Sequence, residues 1–364
     1  MSNLQFFRIN EEPLALENLD LQDKKVLVRV DFNCPVKDNK VTNNYRIRES
    51  LQTLKNLSER GVKKITLITH WERPEGKYDP AFSLEPIRQE LENLWGEKVI
   101  CPAFISDFNQ YSQIISKQET KIVMWENIRF WPEEENGEAT FSQALAQDQD
   151  LFINEAFSAS HRKHASIVGI TEFLPSYAGW HLAEEVKKIY HLVNKPINPS
   201  IAIVGGAKIE TKVPVLEELG QDYDRIILGG KISLEYENSE LAKSEALWTK
   251  KVTLPKDYLG EEKMDISEES AQIFAGFIRQ AKKILWNGPM GKFESVEYRK
   301  GSEIIARAIA ENQSAERLIG GGDTIALLEI LDLQNQVGFT STGGGAMLEY
   351  IAKGTLPGLE KLSY

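Results

Sequence analysis

Three glycine clusters in the second half of the chain each follow an apolar run, and their residue types suit phosphate. They are Ile203-Val204-Gly205-Gly206-Ala207-Lys208, Ile319-Gly320-Gly321-Gly322-Asp323-Thr324 and Phe339-Thr340-Ser341-Thr342-Gly343-Gly344-Gly345. Glycine after a strand lets bare backbone N–H groups approach an anion, and the start of the next helix adds a favourable dipole. Lys208 supplies positive charge, and Asp323 at a helix start can hold a magnesium ion. One cluster alone fits plain strand-to-helix turn chemistry equally well. Several in one half point to a nucleotide site. Neither common nucleotide fingerprint occurs: Gly288-Pro289-Met290-Gly291-Lys292 is followed by Phe293 rather than Ser or Thr, and there is no G-x-G-x-x-G.

The first half carries a different chemistry. Asp31 and Asn33 follow its first strand-like run and Arg46 opens the next helix. His70 and Arg73 follow the second run, Arg129 the third, and His161 and Arg162 the fourth. Arginine presents a planar fork of donors matched to phosphate and carboxylate. Any one of these arginines alone reads as a solvated surface residue. Together, beyond the carboxyl ends of neighbouring strands, they read as a site for a small polyanion.

The elements that must position these groups alternate along the chain. Strands are expected at Lys25–Phe32, Lys64–His70, Lys121–Trp125 and Leu151–Asn154, with helices at Tyr45–Arg60 and Leu84–Leu94. The second half repeats the scheme. Its expected strands are Ile201–Val204, Arg225–Leu228, Lys251–Leu254, Lys283–Trp286, Arg317–Ile319 and Gly338–Ser341. Its expected helices are Val213–Leu219, Ser270–Ala281, Gly301–Glu311 and Thr324–Leu331. Short apolar runs separated by helices imply mostly parallel sheets covered on both faces. The double-proline stretch Asn194-Lys195-Pro196-Ile197-Asn198-Pro199 separates the halves, and a helix over about 179–192 precedes it.

Composition narrows the class. The 364 residues suffice for about two domains, and 41% hydrophobic with 27% charged content is ordinary for a globular protein. A net charge of −11 without a long basic run argues against nucleic acid as a partner. The two cysteines, Cys34 and Cys101, suit a reducing cytoplasm. Met1–Gln5 has no basic or apolar leader pattern, and no apolar stretch is long enough for a bilayer, so no membrane role is expected. Glu133-Glu134-Glu135 reads as a solvated loop, and His164, His181 and His191 as structural or surface groups.

With these residues in place, the chain resembles the phosphoglycerate kinase family over nearly its whole length. The resemblance rests on Arg29–Pro35, Thr42–Ile47, Glu126–Phe130, Ala156-Phe157 with His161–Ser166, Gly205–Lys208, Trp286–Gly291, Gly320–Thr324 and Ser341–Ala346, in the family's order. It implies an α/β fold of two Rossmann-like domains with mostly parallel sheets covered by helices, joined by a hinge helix. Expected boundaries are 1–178 for a 3-phosphoglycerate domain, 179–199 for helix and linker, 200–349 for a nucleotide domain and 350–364 for a segment returning to the first. The implied reaction is reversible phosphoryl transfer between ATP and the carboxylate of 3-phosphoglycerate, giving ADP and 1,3-bisphosphoglycerate, in a hinge-bending cytoplasmic monomer.

The resemblance also implies roles. Asp31, Asn33, Arg46, His70, Arg73, Arg129 and Arg162 would hold 3-phosphoglycerate. Lys208, Lys212, Asn287, Glu294, Gly321, Gly322, Asp323 and Thr324 would bind nucleotide, with Glu294 on the ribose and Asp323 on magnesium. Arg46, Lys208 and the N–H groups of Gly322, Gly343 and Gly344 would stabilise the moving phosphoryl group.

Departures from the family pattern motivate alternatives. Trp71 and Glu72 stand for the usual Leu and Gly, Glu155 and Ser158 for Asp and Gly, and Thr211 for an Asp. Trp71 is placed to cover the substrate. The stretch from Lys231 to Ser270 is shorter than usual, which would loosen base selectivity. A paralogue acting on a related anionic acid, or a weakly active or non-catalytic ligand-binding paralogue, are the competing readings.

Overall fold

The computed structural model describes residues 15–206 and 208–363. The first fourteen residues of the expected first domain, Ala207 of the first glycine cluster and Tyr364 of the expected returning segment lie outside them. Two compact units emerge. One comprises Lys188–Thr355, the other the residues up to Lys187 together with those from Leu356 onward.

The sheet of the earlier unit has six parallel strands: β1 (Lys25–Arg29), β2 (Lys64–Ile68), β3 (Val99–Ile100), β4 (Ile122–Met124), β5 (Leu151–Asn154) and β6 (Ser176–Ala178). Their spatial order is β3-β4-β2-β1-β5-β6. Val26 on β1 registers with Ile65 on β2 and Leu151 on β5. These central runs are apolar without alternation because helices bury both faces. The helix Tyr45–Glu59 turns Ile47, Leu51, Leu54 and Leu57 inward, the spacing expected of one helical face. Trp125, Trp131, Tyr111 and Phe141 form an aromatic cluster with ring centroids 5.1–6.0 Å apart.

The later unit repeats the design with β7 (Ser200–Val204), β8 (Arg225–Leu228), β9 (Val252–Thr253), β10 (Lys283–Asn287), β11 (Glu316–Gly320) and β12 (Phe339–Ser341). They lie in the order β9-β8-β7-β10-β11-β12, all parallel. Its core packs Ile203, Ile227, Trp286 and Ile319 against Phe274 and Ile305. In each sheet the chain reverses its direction of travel beside its first strand, between β1 and β5 and between β7 and β10. Such a switch point opens a crevice at the carboxyl edge.

The α/β class and parallel sheets match the expectation. The detail differs in places. Strand pairing on β1 stops at Arg29 rather than Phe32, because Phe32 gives its N–H to Thr69 Oγ1 instead (3.0 Å). Helices Phe108–Lys117, Ala139–Ala146, Gly230–Glu237 and Gly344–Lys353 were not expected. The first had a capping signal in Asp107, whose carboxylate accepts from the N–H groups of Asn109 and Gln110. Helix Trp180–Asn194 passes from one unit into the other. Tyr350 ends up inside a helix of the later unit, and the segment from Leu356 packs on the earlier one: Gly358 N–H donates to the Ser160 carbonyl and Ser363 N–H to that of Ser176, both at 2.8 Å. No helix among the described residues is long and apolar enough to cross a membrane.

Candidate functional site

In the earlier unit, the loops after β1, β2, β4 and β5 bring the expected polyanion residues together. Asp31 accepts from Arg46, from the Ser158 hydroxyl and from the Asn33 N–H. Burial alone would push its carboxyl up, but Arg46, Ser158, Asn33 and Arg29 outweigh burial and hold it below the usual range. It therefore stays ionised and fixes Arg46 at the start of its helix. Asn33 Oδ1 also accepts the Glu72 N–H (3.0 Å), and Arg129 Nη1 donates to the Glu72 carbonyl (2.6 Å).

His70 is buried among guanidinium groups. Arg29 Nη2 lies 3.0 Å from His70 Nδ1. An arginine can only donate, so Nδ1 is bare and the ring proton sits on Nε2. Burial first, then Arg29, Arg129, Arg162 and Arg46, drives its pKa well below normal. His70 is thus a neutral donor at physiological pH. Arg129 is only 3% exposed, and burial with help from Arg162 lowers its pKa to about 10, so it remains a cation. Arg162 is half-buried and feels Arg73, which is itself exposed.

Buried groups behind the site have structural roles that the sequence reading did not assign them. Arg29 is buried behind His70 and donates from Nε to Ser166 Oγ (3.0 Å). Its signal was a charge interrupting the apolar run Val-Leu-Val-Arg-Val. Glu134 is a correction: the expected solvated loop is the helix Pro132–Asn136, with Glu134 fully buried. Its carboxylate accepts from Ser166 N–H (2.9 Å) and Oγ (2.6 Å), and His164 and Arg29 overcome burial to keep it ionised. Glu155 is also buried. It accepts from Thr53 Oγ1 and from the N–H groups of His181 and Leu182, and burial raises its pKa. His181 stands between Glu49 and Glu185 at 3.2 and 3.4 Å. Burial opposes its charge, but Glu185, Glu155 and Glu49 together lift its pKa to about 9. Trp71 is a second correction. It is 7% exposed, donates from Nε1 to the Cys34 carbonyl (2.9 Å) and packs edge-on to Phe82, so it is a wall residue, not a cover.

The later unit builds its site from backbone. Gly205, after β7, donates to the Asn287 carbonyl at 2.8 Å, and a Cβ on Gly205 would overlap the Pro289 carbonyl. Gly321 has φ 104°, and a Cβ on Gly344 would fall on the Cα and N of Gly321. These two chain segments can lie together only as glycine. Asn287 is buried between them, with Nδ2 3.5 Å from the Gly344 carbonyl. Thr324 Oγ1 accepts the Gly288 N–H (2.8 Å), which leaves its own O–H to donate.

A cavity of about 600 Å³ opens at this edge. Gly206, Leu234, Met264, Phe293, Glu294 and Asp323 are among its walls, so the expected ribose and magnesium residues share it with an apolar face. Lys208 is exposed and its carbonyl accepts from Thr211 Oγ1 (2.8 Å). Lys212 precedes the helix Val213–Asp222, with its pKa lowered by burial. Among the described residues neither lysine lines the cavity. The stretch up to Ser270, expected to be shorter than usual, forms the helix Gly230–Glu237, two short turns and the hairpin Tyr258–Leu259/Asp265–Ile266, whose tip contributes Glu262 and Lys263 to the wall.

Known proteins share this arrangement. The sequence profile of the family described as phosphoglycerate kinase matches residues 16–243 and 238–353. Phosphoglycerate kinase of Rubrobacter xylanophilus is 35% identical over 385 residues, covering 96% of this chain and 97% of its own. That of Trichodesmium erythraeum is 36% identical over 390 residues, with 96% and 98% covered. Solved phosphoglycerate kinase structures from Coxiella burnetii and Pyrococcus horikoshii superpose with TM-scores of 0.78 and 0.79 at 29% and 27% identity. Each covers 96% of this chain and 98% of its own.

Proposed function

The chain belongs to the phosphoglycerate kinase family and transfers a phosphoryl group reversibly between ATP and the carboxylate of 3-phosphoglycerate; from that premise we propose how its two units divide the work. The earlier unit holds 3-phosphoglycerate and the later one the nucleotide. The comparisons do not favour the alternatives of a changed acid or a non-catalytic paralogue.

The acceptor carboxylate is ionised at neutral pH, so no general base is needed. Positioning and charge stabilisation supply the catalysis. Arg46, Arg73, Arg129 and Arg162 with Asn33 and neutral His70 bind the acid, while Asp31 orients Arg46. On the nucleotide side Lys208 meets the moving group, aided by the N–H groups of Gly322, Gly343 and Gly344. Lys212, Asn287, Gly321 and Thr324 take the remaining phosphates, and Glu294 the ribose.

Magnesium fits at Asp323. This acid is exposed in the first turn of helix Gly322–Ile330 and lines the same cavity as Glu294. Among the described residues no group of three or more metal-ligating side chains occurs. A single carboxylate suits an ion that keeps waters and arrives with phosphates. When bound, it neutralises charge on the phosphate oxygens. Cys34 and Cys101 are free thiols, which supports a cytoplasmic setting.

The observation that carries this division is the contrast in donors: charged forks around His70 in one unit, bare glycine backbone around Asn287 in the other. The test couples acyl-phosphate formation to NADH oxidation, with a Lys208→Ala control and a panel of ATP, GTP and ITP. Turnover should fall about 10²- to 10³-fold in the variant, and GTP and ITP should be used because the wall is shortened. Unaltered turnover in the variant sinks the assignment of Lys208. Use of ATP alone sinks the relaxed base selectivity.

A further inference from the structure

Arg129 is the least satisfied of the buried cations around His70. Its Nη1 donates to the Glu72 carbonyl, but its buried Nε has no hydrogen-bond partner. Glu135 Oε1 lies 3.0 Å from that Nε, so the two attract through charge without an aligned hydrogen bond. The field of Glu135 also acts on Arg162.

Three carboxylates balance the five guanidinium groups of Arg29, Arg46, Arg73, Arg129 and Arg162. Asp31 and Glu134 are buried and locked by several donors each. Glu135 differs: its side chain is 42% exposed and its contact is the ion pair with Arg129. Of the three it alone can leave without breaking a buried network. A phosphate ester that also carries a carboxylate brings close to three negative charges, about −3 in all. Such an anion and Glu135 cannot both neutralise Arg129.

We propose that Glu135 is an internal stand-in for an anionic group of the acid substrate, neutralising Arg129 and Arg162 in the free protein and giving way when the acid binds. This inference rests on the reading that this unit binds 3-phosphoglycerate. The incoming anion supplies the aligned acceptor that Arg129 Nε lacks. Glu135 thereby sets affinity: it suppresses repulsion among the arginines when the site is empty and competes for them when it fills.

The test uses the full chain and its Glu135→Gln variant, with 3-phosphoglycerate titrated calorimetrically and in initial-rate assays. Kd and KM for 3-phosphoglycerate should fall about three- to tenfold, the reach of one partly exposed ion pair. The value of kcat and the KM for ATP should hold, the gain should shrink with added salt, and the substrate-free unfolding midpoint should drop. Unchanged or weaker binding by a folded variant overturns the proposal. A crystal structure of the unaltered protein with 3-phosphoglycerate tests it independently: Glu135 must have left Arg129, and an intact ion pair overturns it. Absence of turnover in the unaltered protein would instead strike the substrate assignment itself.

Discussion

The two units are both six-stranded parallel sheets with a switch point beside the first strand, though their strand orders differ, and the sites proposed at these two switch points would bind anions by opposite means. The earlier unit uses side chains. Apart from exposed Arg73, its guanidinium groups are buried or half-buried together, so each needs a nearby counter-charge or a neutral partner. Asp31, Glu134, Glu135 and uncharged His70 fill those places. The later unit uses backbone. Its N–H groups carry only partial charge and need no carboxylate behind them. What they need is space, which glycine at 205, 321 and 344 provides. A side-chain site is thus exposed to loss of its hidden acids, and a backbone site to gain of a single methyl group.

Substitutions should separate the two designs. Glu134→Gln has the largest expected effect. It keeps shape but removes the buried negative charge that Ser166 and His164 hold and whose field acts on Arg29, a loss of about 1.5–3 kcal/mol for hydrogen bonds made to a charged group. Chemical unfolding should show it, with 3-phosphoglycerate binding weakened and nucleotide binding in the folded fraction preserved. An effect confined to nucleotide binding would break the comparison.

Gly344→Ala is the mirror test. Its methyl group falls on Gly321 backbone, and overpacking of this kind costs about 1–3 kcal/mol. ADP affinity should collapse while 3-phosphoglycerate affinity holds, as read by titration of each ligand alone. Equal losses for both ligands would deny that the sites are built separately.

Glu72→Gly should have the smallest effect and the opposite sign. Glu72 sits at φ 52° where glycine is at ease, so the variant should relieve about 0.5–1 kcal/mol of backbone strain. The added freedom of glycine in the unfolded chain offsets part of that gain. Thermal unfolding should rise slightly, and the Asn33 and Arg129 contacts to the backbone at 72 should keep 3-phosphoglycerate binding intact. A drop in stability would mean that the Glu72 carboxylate matters to the fold.

Legibility in the sequence followed the physics of each feature. Long apolar runs such as Lys-Ile-Thr-Leu-Ile declared central strands, because burial on both faces leaves no polar alternation. Two-residue strands such as Val99–Ile100 gave no such signal, since only their neighbours make them strands. The glycine clusters and the post-strand arginines were visible because their chemistry is local: a residue type after a strand. Glu134 was not, because three consecutive acids look solvated until Ser166 and Arg29 are brought against the middle one. Trp71 failed for the same reason, its indole being claimed by Cys34 and Phe82.

The sequence by itself therefore determined the alternation of strand and helix, the two anion-binding chemistries and the family, since each is written in residue type and order. Only the tertiary structure decided which charges are buried, that His70 is neutral and that Glu135 holds Arg129, because burial and field arise from residues far apart in the chain.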